Sequence, residues 1–283
     1  MLFGNTKHER AANESVEHEK STSRRQVLKA TTSVAVGIFS GGVTIGTAKA
    51  GGCTSFLDAP DDFPYIWYTS VSGSFPSGDP TEILIFVHGW QEKLSGGGRD
   101  QAYTCKRAVR DSGYPHPVVG FGYDSNNPWW WSAKDDAEEA GHSFADWLTG
   151  YVDSHRTYVR LVAHSLGARV SLTALNDLAS RGRSVGTLDL LGGAVDADEI
   201  GDQWSTGIQN GADHVNNWHS DNDSVLDSFY WAGEAEEAVG EEGAQGPHPP
   251  STYSDHDVTD TIDAHCEYIL PERGCLPQVV DTF

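Results

Sequence analysis

Beyond residue 50 the chain is nearly devoid of lysine: only Lys93, Lys106 and Lys134 occur there. Over all 283 residues, 19 Lys and Arg stand against 41 Asp and Glu, a formal net charge of −22. A surface so short of cations offers no basic face to phosphates, which excludes nucleic acid as a partner. A solvated acidic shell poor in Lys instead suits a protein that stays soluble in concentrated salt, where self-repulsion is screened. Cysteine is also sparse, at four residues, with no C-x-x-C or Cys/His spacing, so no zinc site is expected. The glycine run Gly96-Gly97-Gly98 is not followed by the Lys-Ser/Thr of a phosphate loop, which argues against a nucleotide cofactor. No cofactor or metal is expected.

Long apolar runs are missing too. The longest uncharged stretch, Ala30 to Ala48, is interrupted by Thr, Ser and Gly and is weakly apolar for a membrane span. It follows Ser23-Arg24-Arg25-Gln26-Val27-Leu28-Lys29, which resembles a twin-arginine export signal, and precedes Ala48-Lys49-Ala50, a small-x-small cleavage pattern. The expectation is a leader over 1–50, transient passage through the twin-arginine machinery, and a secreted or cell-surface domain over 51–283. Lipidation of Cys53 as an anchor is the less favoured alternative. In an exported chain Cys53, Cys105, Cys266 and Cys275 allow three disulfide pairings. Cys266–Cys275 with Cys53–Cys105 is preferred, because Pro271 and Gly274 could turn the chain between the first two.

What is present is an alternation of strands and helices. Pro64–Val71 reads as an opening strand, and Glu82–Val87 is a continuous apolar run of the kind found in strands covered on both faces. Gly96 to Asp111 reads as a helix and Pro117–Tyr123 as a strand. Trp129-Trp130-Trp131 falls on a loop, where it would wall a pocket, form a flap, or pack over a helix marked by Ala133, Ala137, Ala140, Phe144 and Leu148. Further strands are expected at Tyr158–Ala163, Val185–Val195 and Ala212–His219. The acidic segment 233–246, with five Glu and no cation, reads as an exposed insertion. Strands alternating with helices imply βαβ units and a largely parallel sheet.

The stretch Val162-Ala163-His164-Ser165-Leu166-Gly167 places a Ser on a strand-to-helix turn, with small residues two before and two after it. This is a relaxed G-x-S-x-G elbow, whose strained turn requires those small neighbours. Upstream, Val87-His88-Gly89-Trp90 ends a strand; downstream lie Ser220-Asp221-Asn222-Asp223-Ser224-Val225 and Ala264-His265-Cys266-Glu267-Tyr268. Together these resemble the α/β-hydrolase family over about residues 64–270, in a form similar to small lidless bacterial lipases. The resemblance implies an α/β fold with a mostly parallel central sheet flanked by helices. It also implies the chain order nucleophile, acid, base, obeyed by Ser165, Asp223 and His265. Amides of Trp90 and Leu166 would form the oxyanion hole, and the substrate would be a small-molecule or lipid carboxylic ester. Asp196 is the rival acid. Asp221 and Asp223 also suggest a calcium loop, discounted because Leu226 stands where the loop needs Gly. His256 and His248 lie in a Pro/Ser/Asp-rich stretch and rank below His265; His88 is expected to orient, and His164 to pack beside the elbow. An acyltransferase or amidase on the same triad, or a non-catalytic surface or glycan-binding protein, are the alternative functions.

Overall fold

The apolar runs of the chain lie side by side. In the computed structural model, which describes residues 56–90, 97–233 and 237–283 (229–233 by backbone alone) and the backbone of 36–39 and 42–45, eight strands form one sheet. They are β1 (Tyr65–Trp67), β2 (Ser70–Ser72), β3 (Glu82–Val87), β4 (Val118–Gly122), β5 (Tyr158–His164), β6 (Val185–Leu191), β7 (Ala212–His219) and β8 (Tyr253–Asp257). Their spatial order is β8-β7-β6-β5-β3-β4-β1-β2, and every pair is parallel except β1 with β2. Val36–Phe39 and Gly42–Ile45 pair antiparallel with each other, apart from this sheet. The twin-arginine motif, the cleavage pattern and Cys53 lie outside the described residues.

Helices cover both faces, which is why β3 and β5 carry no polar alternation. Ile83, Ile85, Val87, Leu161 and Ala163 pack with α2 (Trp130–Ser154) and α3 (Gly167–Ser180). Leu84, Phe86 and Val162 point the other way, toward α1 (Gly98–Asp111) and α7 (Leu276–Val280). α4 (Ser205–Asn210) bridges β6 to β7; α5 (Ser224–Gly233) and α6 (Val239–Glu242) follow β7. The result is an α/β-hydrolase fold: a mostly parallel sheet between two helical layers, with the elbow turn between β5 and α3.

Four expectations are corrected. The opening strand is a hairpin, because Tyr68 adopts φ 53° and reverses the chain between β1 and β2. The three Trp do not act as one loop feature: Trp129 caps α2, Trp130 is buried in its first turn, and Trp129 and Trp131 remain 44% and 43% exposed. The acidic segment is not an exposed insertion, since its described part docks by backbone. Val239 N–H donates to Val195 O, Gly240 N–H to Gly193 O and Ser220 N–H to Gly240 O, burying Ala238, Val239 and Gly240. Finally, Cys105 and Cys275 are free, buried thiols, so neither preferred disulfide forms; Cys266 is disulfide-bonded, but to neither of them.

Candidate active site

β5 delivers Ser165 at the carboxyl end of the sheet, where parallel α/β sheets present their ligand crevice. Ser165 has φ 58°, a left-handed conformation that costs a non-glycine residue roughly 1–3 kcal/mol. The turn is held by Ser165 N–H donating to Leu191 O (3.1 Å) and by Ala194 N–H donating to Ser165 O (3.0 Å). The small flanking residues have a steric cause. A Cβ on Gly167 would lie 2.6 Å from Val87 O, and one on Gly89 would lie 2.7 Å from Ser165 Cβ. Gly89 therefore sits directly against the Ser165 side chain.

The loop after β3 is fixed by its histidine. Tyr123 N–H donates to His88 Nε2 (3.3 Å), leaving the ring proton on Nδ1, which bonds Gly89 O at 2.8 Å. The imidazole also stacks on Tyr123, with centroids 4.7 Å apart. Trp90 turns its indole to the β4–α2 loop: Nε1–H donates to Asn127 O (2.7 Å) and the ring meets Trp130 edge-on. Leu166, the residue after Ser165, is fully buried. Gly89 thus adjoins Ser165 from the loop after β3, and Leu166 follows it in the chain.

Asp223 and His265 form a closed pair. His265 Nδ1 lies 2.6 Å from Asp223 Oδ2, with Asp223 wholly buried and its Oδ1 accepting Leu226 N–H. With the Nδ1 proton held by a carboxylate, Nε2 keeps its lone pair. The loops carrying the two residues are tied upstream: Ser220 Oγ donates to Ile262 O (2.8 Å) and Asn222 Nδ2 to Thr259 O (3.0 Å). No hydrogen bond joins Ser165 Oγ to the His265 ring in this structure, a contact that often tightens only around substrate. The link runs one residue earlier, through His164, whose Nε2 is 2.8 Å from His265 O and whose ring centroid is 4.7 Å from that of His265. Burial pushes the His164 imidazole down to about 3, so it stays neutral.

The rival residues are otherwise employed. Asp196 lies 3.7 Å from Nη2 of buried Arg169, which also pairs with Glu138 and Glu199, so its carboxylate serves α3 and not His265. His256 is not in a loop: it lies on β8, stacked on Trp218 and bonded to Asn216 Oδ1. Sequence reasoning gave His164 only a packing role and assigned none to Tyr268 or Glu241. Tyr268 OH donates to Gly240 O (3.2 Å), and burial next to Asp223 holds its hydroxyl well above the usual range. Burial, with Asp227, Glu242, Asp223 and Glu237 as like charges, pushes Glu241 up to about 7. A cavity of about 450 Å³ opens beyond β4, lined by Tyr68, Asp124, Asn126, Asn127, Asp136 and Glu139.

The chain is similar to several solved structures at low identity. An esterase from Pyrobaculum calidifontis is 13% identical, covering 73% of this chain and 77% of that one, with TM-score 0.40. Esterase PE8 is 16% identical over 73% and 93%, TM-score 0.44, and TT1662 from Thermus thermophilus is 12% identical over 71% and 86%, TM-score 0.40. No curated protein matches the sequence. A family model does match, from residue 103 within α1 to residue 279 within α7, so that the elbow, Asp223 and His265 all lie inside more than half of the chain that it spans. The chain belongs to the family described as "Protein of unknown function (DUF726)".

Proposed function

We propose that this chain is a serine hydrolase that cleaves carboxylic esters through an acyl-enzyme on Ser165. The observation that carries the reading is the strained Ser165, pressed against Gly89, at the rim where His265 and Asp223 pair at 2.6 Å. In this reading His265 Nε2 takes the Ser165 proton as Oγ attacks the ester carbonyl, then returns it to the leaving alcohol. Asp223 holds the tautomer and stabilises the imidazolium, and the Leu166 and Trp90 amides receive the oxyanion, each worth about 10²–10³ in rate. Water attacks the acyl-enzyme by the same base. The reading includes export by the Arg24-Arg25 leader, testable by whether replacing both with Lys retains the protein inside the cell.

The test is a chain-length series of nitrophenyl esters in high salt on wild type and Ser165→Ala, with a fluorophosphonate probe in parallel. The Ala variant is expected to lose at least about 10⁴ of kcat and all labelling. Equal rates for the two proteins would overturn the assignment.

A further inference from the structure

His265 lies in a stretch, 261–270, that is neither helix nor strand, so its position depends on what the loop is tied to. Ties from the acid side are in place through Asp223, Ser220 and Asn222. A tie from the nucleophile's own strand comes from His164, the residue before Ser165. We propose that His164 is a positioning residue, donating its Nε2–H to the carbonyl of His265 and so fixing the base loop to the strand that carries the nucleophile. This inference rests on the hydrolase reading and adds to it a second imidazole with a different duty.

Three observations agree on that duty. The Nε2 to His265 O distance is 2.8 Å, and a carbonyl only accepts, so the ring must present Nε2–H. The other nitrogen, Nδ1, is buried with no hydrogen-bond partner, as an unprotonated nitrogen in an apolar wall can be. Lastly, the ring lies 4.7 Å from that of His265, so a charge on His164 would oppose the imidazolium that the base forms in each half-reaction. The titratable side chains facing it are His265, His88 and Tyr268, with no carboxylate among them to hold a proton on it. A neutral donor next to the base is what the geometry provides. Because Ser165 and His164 are consecutive, the distance from nucleophile to base is set across one peptide unit and one hydrogen bond.

The experiment compares His164→Phe, which keeps a ring without the donor, with His164→Gln, whose amide can reach the same carbonyl. Turnover of nitrophenyl acetate by the Phe variant is expected to fall about 10–100-fold in kcat with KM changed by less than about twofold, as for a base displaced by a fraction of an ångström. The Gln variant is expected to recover to within about fivefold of wild type. Wild-type kcat in the Phe variant, or a Gln variant as impaired as the Phe one, would overturn the proposal. A measurement without any substitution covers the case in which a variant fails to fold. In ¹⁵N-histidine-labelled wild type, His164 should show the Nε2–H tautomer and no protonation between about pH 5 and 8. Titration near 6.5, or the opposite tautomer, would overturn it as well. Failure of wild type to turn over any ester sinks the hydrolase reading instead, and leaves the tautomer result standing on its own.

Discussion

At the scale of single residues, the strongest signal is a serine held in a conformation that serine avoids. Backbone strain of this kind persists only where surrounding contacts over-determine it, and here they do: the turn is bonded fore and aft to the end of β6. The residues that carry this strain were legible, because Ala163, Ser165 and Gly167 follow from sterics that leave a mark on composition. The choice between two acids was not. Asp196 and Asp223 both follow strands, and only the fold separates them, pairing Asp223 with His265 and Asp196 with Arg169. Two variants therefore behave differently. Asp223→Asn is expected to lower kcat about 10⁴-fold, through loss of the correct imidazole tautomer. Asp196→Asn should leave kcat within a fewfold of wild type while lowering the melting temperature, since Arg169 loses one of the three carboxylate partners it has among the described residues. Steady-state kinetics and thermal melts on both variants check this, and a large kcat loss confined to Asp196→Asn would reverse the assignment. His164 was assigned to packing because its bond is to a backbone carbonyl 101 residues away, which no local pattern encodes.

At the scale of elements, the continuous apolar run Glu82–Val87 and the more polar Ala212–His219 both stand as strands, as expected. The strand that escaped is β8, Tyr-Ser-Asp-His-Asp, at the edge of the sheet, where Tyr253 is its one buried side chain. Its place is set by pairing with β7 and by a polar network inside the sheet, not by hydrophobic pattern. In that network Asp189 on β6 accepts Asn216 Nδ2 and Trp218 Nε1, both at 3.0 Å, while Asn216 Oδ1 meets His256 Nε2 on β8. Asp189 is fully buried, its Oδ2 has no partner, and burial pushes its carboxyl from 3.8 up to about 6. The folded state therefore holds this proton to a higher pH than the unfolded chain does. Its cost is small below about pH 4, grows between about pH 4 and 6, and levels off at about 3 kcal/mol above that. Asp189→Asn keeps an oxygen for both donors, so it is expected to be more stable than wild type by about 1–3 kcal/mol at pH 8, with the difference shrinking by pH 5. Urea unfolding at the two pH values measures it; a gain that is equal at both would assign the effect to packing. The acidic segment was misread for a related reason. Its docking rests on backbone bonds at Val239 and Gly240, which its five Glu conceal.

At the scale of the whole molecule, residues 35–283 form one compact unit, and the charge of −22 over the full chain is the dominant long-range property. Self-repulsion of that size weakens the compact state in dilute buffer. The apparent melting temperature is therefore expected to climb as KCl is raised from about 0.1 M to about 2 M. Most of the climb should come by 1 M, where the screening length has fallen from about 10 Å to about 3 Å. A flat profile in melts at graded KCl would detach the composition from stability. The same screening removes the repulsion that keeps copies of the chain apart, and the sheet has two open borders. Those borders are short: three residues in β2 and five in β8, the latter bearing Asp255 and Asp257. An incoming strand would find too few free amides and carbonyls to grip. In brine, where charge no longer guards against fibrous stacking, the brevity of its margins still does.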